Sequence, residues 1–229
     1  MPSTVVHVSL AGLIAAGLLG RAFEWRSLAV VVVAATVFVD LDVFLGWWIG
    51  GAHRAAFHTL LLPALLAGLI VYDTRYREAS VLRSRFAAGP RIAWVTVAAV
   101  TFGAIGPDLF FNGVNVFYPV HDQFYKLNGE VLLSNQRGFV QTFVDLSPPE
   151  PNGSNATNAT TPTGGEGESG AVGSTEEVHY RTGVDPSRGE ESANVERVFP
   201  VVRSGQQALV VLTSAFVVGS RLLGTRRSR

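Results

Sequence analysis

The chain contains no cysteine, which excludes disulfides, iron–sulfur clusters and thiolate zinc sites. It has a single lysine, Lys126, against 17 arginines, a skew that points to a GC-rich genome of halophile type. Charge is scarce as well: only 16% of the 229 residues are charged, and 18 basic residues balance 18 acidic ones. With zero net charge and no basic block in the first half, the composition argues against nucleic acid as the main ligand.

What is present is apolar: 48% of the chain is hydrophobic, in long runs before residue 120 and after residue 205. A polar segment separates them. Soluble domains do not distribute residues in this way, whereas polytopic membrane proteins with one large loop do. The expected fold is an all-α polytopic membrane helix bundle with a small extracellular, partly disordered β-rich insertion.

Five spans are expected, near Val5–Leu19, Leu28–Val39, Ala55–Tyr72, Ile92–Phe111 and Gln207–Leu223. Their lengths approach the ~17–25 residues that cross the hydrocarbon. The first lacks the basic start and cleavage site of a signal peptide and reads as a span. Arginines orient the bundle. Arg21 and Arg26, then Arg75, Arg77, Arg83, Arg85 and Arg91, then Arg221, Arg226, Arg227 and Arg229 fall on one side of a five-span chain. The positive-inside rule makes that side cytoplasmic and the N-terminus external, in the cell membrane. The expected organisation is a four-span core (1–119), an extracellular segment (120–206), and a fifth span with a basic cytoplasmic tail (207–229).

Within the polar segment, Ser147–Thr175 has a disordered-linker composition. It holds three Asn-X-Ser/Thr sequons, at Asn152, Asn155 and Asn158, which a linker rich in Asn and Thr also generates by chance. Its flanks alternate: Glu130–Ser134 and Gly138–Asp145 read as strands around an Asn135–Gly138 turn, and Val178–Arg181 and Val195–Val202 resemble further strands.

Ionisable residues inside spans cost about 2.5–3.5 kcal/mol each near the bilayer centre and are functional suspects. Here they are His7 in the first span, Asp40 and Asp42 in the second, His53, Arg54 and His58 entering the third, and Asp108 late in the fourth. With the orientation above, all of them reach the outer face. Asp40 and Asp42 lie about 200° apart on a regular helix, so the helix is expected to end or unwind there. His53 fits the Gly50-Gly51-Ala52 loop, Arg54 and His58 form an i,i+4 pair, and Gly106-Pro107 loosens the helix before Asp108. Trp47 and Trp48 read as an interfacial belt.

Imidazole and carboxylate without sulfur form the ligand set of Zn²⁺, Mn²⁺ or Fe²⁺. His7, Asp40, Asp42, His53, His58 and Asp108 suffice for one divalent metal with supporting partners, or for two metals. Each residue also has a bland reading: a packed His7, capping Asp40 and Asp42, an Arg54 paired across the bundle, a lone helix-end Asp108. His179 reads as a surface residue.

The pattern of His7 ahead of Gly12, Asp40-Leu-Asp42, His53-Arg-Ala-Ala-Phe-His58-Thr-Leu-Leu and Asp108-Leu-Phe-Phe-Asn-Gly-Val-Asn resembles the membrane-bound metal-dependent hydrolases of the YdjM-like type, found in bacteria and halophilic archaea. The resemblance covers about residues 1–120, and the His-Arg-x-x-x-His-Thr piece is its most specific part. It implies an inner-membrane, phospholipase-like hydrolase whose polar positions are His7, Asp40, Asp42, His53, His58 and Asp108. Two positions depart from the family: Val39 replaces a Pro before the first Asp, and Gly103-Ala104-Ile105 stand where a His precedes the last. His121-Asp122 is a candidate substitute.

The leading expectation is therefore a membrane hydrolase with an outward-facing metal site, probed by lipid or lipid-linked phosphoesters. Asp40 or Asp42 would act as general base or ligand, with Arg54 near the phosphate. The competing expectation is a non-enzymatic membrane protein: a metal or proton transporter, or an envelope scaffold displaying the β-module, as a family member that has lost its activity. A transporter wants ionisable groups in both leaflets, and the inner half offers only Asp73 among its arginines. The orientation is checked by single-cysteine labelling of intact cells with an impermeant reagent: a cysteine at Ser154 is expected to label and one at Ser80 is not. The opposite pattern reverses the topology.

Overall fold

The computed structural model describes residues 3–46, 48–49, 51–85, 88–129, 131–136, 138–141, 143, 170–187 and 194–227. The three sequons, Trp47, Gly50 and most of the expected linker lie outside the described residues. Helix α1, Thr4–Leu18, starts where the Ser3 hydroxyl accepts the Val6 amide, and it ends before Gly20, whose φ of 56° turns the chain. Helix α2 runs over Trp25–Leu45, α3 over Leu61–Val71 with a further turn through Tyr76, and the short α4 over Val81–Arg85. Helix α5 is Gly89–Phe111, opened by Pro90 in its first turn, and α6 is Gly205–Arg227.

Among the described residues α2, α5 and α6 are long and apolar enough to cross a membrane, and α1 is a shorter apolar helix. Large apolar side chains point outward along the bundle, among them Val33, Val37, Leu65, Phe102, Leu212 and Phe216. Such a continuous apolar exterior is not tolerated in water.

Small residues bring the backbones together. Ala11, Ala15 and Ala16 of α1, Ala35 of α2, and Ala99 and Ala104 of α5 are all buried in one core with Leu19, Phe23, Val31 and Val39. A Cβ on Gly103 would lie 3.2 Å from the Ala11 amide nitrogen, and one on Gly12 would lie 3.2 Å from the Ser214 hydroxyl. Ser214 in turn donates to the Ser9 carbonyl at 2.8 Å, tying α6 to α1. Close approach through small residues plus interhelical polar bonds is how helices associate where there is no hydrophobic driving force between them.

Three π-helical turns interrupt the helices, at Ala34–Phe38, Tyr72–Tyr76 and Val100–Ile105. Each contains a threonine, Thr36, Thr74 or Thr101, whose hydroxyl donates to the carbonyl four residues back. That bond alone is insufficient, because Thr96 makes it inside regular helix. In α5 the added cause is Pro107, which lacks the amide that would reach the Gly103 carbonyl. The π turns of α2 and α5 directly precede Asp40-Leu-Asp42 and Asp108. A further break at Leu41 separates the two aspartates, as expected from their 200° offset.

The insertion carries strands β1 (Phe124–Lys126), β2 (Val131–Ser134), β3 (Gly138–Gln141) and β4 (Gly170–Gly173). β2 and β3 form the expected antiparallel hairpin, and β1 pairs with β4 in a second antiparallel ribbon. Two expectations are corrected. Gly170–Gly173 and the buried Thr175 belong to this structure and not to a linker. Val178–Arg181 and Val195–Val202 form no ladder: Val178 and Tyr180 pack with Ala55 and Phe124 instead of a neighbouring strand, and Val198, Phe199, Val201 and Val202 are exposed. Phe124, Val178 and Tyr180 make a second small core with Ala55 of the α2–α3 loop. The insertion is thus seated on that loop, and Gly51, at φ 71°, has no room for a side chain beneath the Thr175 and Val178 carbonyls.

The helix contact at Gly103 is testable. Gly103→Leu is expected to cost about 1–3 kcal/mol by forcing α1 from α5, read as a lowered melting temperature of the detergent-solubilised protein. Gly17→Leu, at a position open on all sides, is expected to leave it unchanged.

Candidate functional site

The third expected span does not begin at Ala55. Residues 51–60 form a sequence of turns, and helix starts only at Leu61. The reason is Asp42. Its Oδ1 accepts His53 Nδ1–H at 2.8 Å, and its Oδ2 accepts His58 Nδ1–H at 2.7 Å and the Arg54 amide at 3.0 Å, with the Phe57 amide at 3.5 Å. One fully buried carboxylate thus winds the loop around itself. Arg54 is held at φ 66°, a left-handed conformation that costs about 1–2 kcal/mol for a residue with a Cβ. Its carbonyl accepts the Asn115 amide at 2.9 Å, which fixes this geometry from the other side. The expected i,i+4 pairing of Arg54 with His58 is therefore absent: the two are joined through Asp42 and Asp108.

All seven residues singled out from the sequence meet here. His58 is fully buried; its Nδ1 is bonded to Asp42, and its Nε2 is the ring nitrogen left without a hydrogen-bond partner. That Nε2 lies 3.4 Å from Asp108 Oδ2 and 3.8 Å from Asp40 Oδ1. His7 Nε2 is 3.6 Å from Asp108 Oδ1, and Arg54 Nε is 3.4 Å from Asp108 Oδ2. His53 and His58 rings meet edge to face at 5.7 Å. Asp40 is the most open member, its side chain 25% exposed, and its Oδ2 accepts the Thr4 hydroxyl at 3.0 Å.

Several buried polar atoms have no hydrogen-bond partner: both ring nitrogens of His7, His58 Nε2, and Nε and Nη1 of Arg54. Leaving such groups unsatisfied costs about 1–3 kcal/mol apiece, and together they mark a place built for something more than packing. Among the described residues no group of three His, Asp or Glu side chains converges tightly enough to hold a metal ion as it stands. The pairwise spacing nevertheless suits one. Two ligands at ~2.05 Å from a tetrahedral ion lie about 3.3 Å apart, close to the His58–Asp108 separation. The donor set, imidazole and carboxylate, also has the right chemistry.

Further participants join the cluster, most of them without a local signal in the sequence. The Tyr180 ring lies beneath the Arg54 guanidinium at 4.5 Å, and its hydroxyl donates to the Asn112 carbonyl at 2.7 Å. Burial pushes the Tyr180 hydroxyl up to about 12. Asn112 donates from Nδ2 to Asp108 Oδ1 at 3.0 Å, a contact readable as an i,i+4 spacing on α5. A cavity of ≈ 720 Å³ opens over His7, Asp40, His53, Arg54 and Asp108 and is roofed by residues 181–186 and 195–203, including Arg181 and Arg203.

Two other candidates are corrected. His121 is exposed, and its ring Nε2 lies 3.0 Å from the Tyr125 hydroxyl. Asp122 binds Asn115 and Thr175 and so anchors the insertion, leaving nothing to replace the missing histidine at Ala104, which is itself buried. His179 is half-buried 3.8 Å from Asp185, away from the cluster. Comparison with protein families, curated proteins and solved structures finds no match for this chain.

The Arg54–Asp108 pair is checked by a double-mutant cycle. Removing one partner of a buried pair costs about 3–5 kcal/mol because the other charge is stranded. Arg54→Ala and Asp108→Asn are each expected to destabilise the protein strongly, and the double variant by clearly less than their sum. Additive losses in denaturation would show that the two do not interact.

Proposed function

We propose that the chain is an integral membrane, metal-dependent hydrolase of the YdjM-like type, with five spans, an external N-terminus, a cytoplasmic C-terminus and its site at the outer face. The observation that carries the proposal is His58: a buried imidazole oriented through Nδ1 by Asp42, presenting an unsatisfied Nε2 to Asp108 and Asp40. A carboxylate behind a histidine is the recurrent support of a metal ligand, since it fixes the tautomer and raises basicity.

In this reading His7, His58 and Asp108 would hold a divalent cation, Zn²⁺ by donor type with Mn²⁺ or Fe²⁺ as alternatives, with one coordination position left open and Asp40 beside it. Asp42 is a positioning residue and not a ligand, because its oxygens are already engaged by His53, His58 and the loop amides. When bound, the cation supplies Lewis-acid polarisation of a phosphoryl oxygen. The chain's own groups do the rest. Asp40, open to the cavity, accepts a proton from an attacking water. Arg54, Arg181 and Arg203 line the same cavity, beside Asp40, Asp108 and Glu196, and are the groups there that would pair with the oxygens of a phosphoester. A cavity of this size beside apolar helices suits a lipid or lipid-linked phosphoester.

The Arg54–Asp108 contact favours a second reading. An arginine already beside the central carboxylate, together with alanine at position 104, describes a family member whose polar core is now structural. Metal analysis decides between them. Wild-type protein is expected to carry stoichiometric metal; His58→Ala is expected to lose it while remaining inserted, and His179→Ala to keep it. Asp42→Ala is expected to weaken affinity about 10–100-fold, as a supporting partner does. Hydrolysis of a phosphoester lipid is expected to follow metal occupancy and to stop on chelation. Wild-type protein without metal under every purification condition leaves the structural reading.

A further inference from the structure

A second cavity, of ≈ 1140 Å³, lies at the opposite end of the bundle between α2, α3, α4 and α5. Its walls are aliphatic, with Val30, Leu66, Leu69, Ile70, Ile92 and Val97 facing into it. Its rim is basic on balance: Arg21, Arg26 and Arg85 line it and are exposed, against the carboxylates of Glu24 and Asp73. We propose that this groove binds an anionic phospholipid, with an acyl chain between α2, α3 and α5 and the phosphate held by Arg21, Arg26 and Arg85. The inference is independent of the hydrolase reading, since it shares no residue with the His/Asp cluster.

The charge balance at the rim singles out these three arginines. Two neighbours are committed to the protein: Arg91 donates from Nε to the Leu18 carbonyl at 2.8 Å, and Arg221 donates to the Gly20 carbonyl and covers the Phe23 ring. No ion pair among the described residues involves Arg21, Arg26 or Arg85, although Arg26 also lies over the Trp25 ring at 5.4 Å. The Asp73 carboxylate on the cavity wall is taken by the Ser80 hydroxyl at 2.6 Å and by the Val81 and Leu82 amides. These bonds, the hydroxyl's above all, hold it below the ordinary carboxylate range and leave Arg77 as its cationic neighbour. Trp25, Tyr72 and Tyr76 are exposed around the same level, the aromatic ring expected where a bundle crosses from hydrocarbon to headgroups. The groove therefore presents an apolar slot between the helices and exposed guanidinium groups at its rim, the arrangement that basic interhelical pockets use for anionic lipids. Guanidinium suits phosphate because its fork pairs with two oxygens at once.

The test uses the full chain in detergent micelles doped with phosphatidylglycerol or phosphatidylcholine, read by native mass spectrometry for retained lipid and by melting temperature. Phosphatidylglycerol is expected to be retained preferentially and to raise the melting temperature, while sodium phosphate without lipid does neither. Arg26→Gln/Arg85→Gln is expected to reduce the preference about fivefold per arginine removed. Arg83→Gln, which removes one positive charge from α4 off the cavity, is expected to preserve it, where Arg85→Gln alone is expected to lower it about fivefold. Ala93→Leu, which narrows the slot without touching charge, is expected to lower retention of both lipids, and it decides the matter if the arginine variant does not insert. Equal retention of the two lipids, an equal effect of Arg83→Gln, full retention by Ala93→Leu, or stabilisation by inorganic phosphate alone would each overturn the proposal.

Discussion

The Asp42 carboxylate is the constraint on which the outer end of the molecule depends. It is buried, so its lone pairs must be filled, and it fills them from the loop that follows α2. Two imidazoles and a backbone amide converge on two oxygens, which prevents the helix of α3 from extending back to Ala55. The same bonds drive Arg54 into a left-handed backbone conformation and aim its side chain at Asp108. Without Asp42 the loop of residues 51–60 would lose the bonds that turn it, and the His58 ring would lose the bond that directs its Nε2 toward Asp108 and Asp40.

The inserted segment completes what Asp42 begins. Arg54 lies between Asp108 and the Tyr180 ring, and Tyr180 hydrogen-bonds the turn at Asn112, which itself holds Asp108. An arginine with a buried, partly unsatisfied guanidinium is tolerable only if it is paired and covered. Phe124, Val178 and Tyr180 provide the cover, and Asp122 pins the segment through Asn115 and Thr175. The insertion is therefore part of the site and not a separate display module.

Legibility followed chain separation. The apolar helices, the Asp40/Asp42 break, the β2–β3 hairpin and the meeting of His7, Asp40, Asp42, His53, Arg54, His58 and Asp108 all follow from local pattern plus the alternation of helix direction. Asn112 was within reach of an i,i+4 argument. Tyr180, Arg181 and Arg203 were not, because no periodicity links them to the bundle across the intervening segment. The start of α3 was misread for a different reason. Residues 55–60 have helical composition, and a long-range carboxylate overrides local propensity. The strand expected at Val178–Arg181 fails in the same way: alternation marks a half-buried chain, and Ala55 and Phe124 supply the burial that a sheet would.

The π turns explain why two helices deliver acidic residues to one point. A regular helix that packs tightly through Ala35, Ala99 and Ala104 presents one stripe to its neighbours, and that stripe is apolar here. Bringing a carboxylate into the same line requires a change of phase near the helix end. The wide turn at Ala34–Phe38, with the break at Leu41, rotates Asp42 inward, and the wide turn at Val100–Ile105 rotates Asp108 toward His7. Each is seeded by a threonine whose hydroxyl stays within its own helix, so the register change exposes no hydroxyl to the hydrocarbon. The backbone irregularity and the polar cluster are thus one feature: the first makes it possible to bury the second in a bundle whose remaining contacts are made by alanine and glycine.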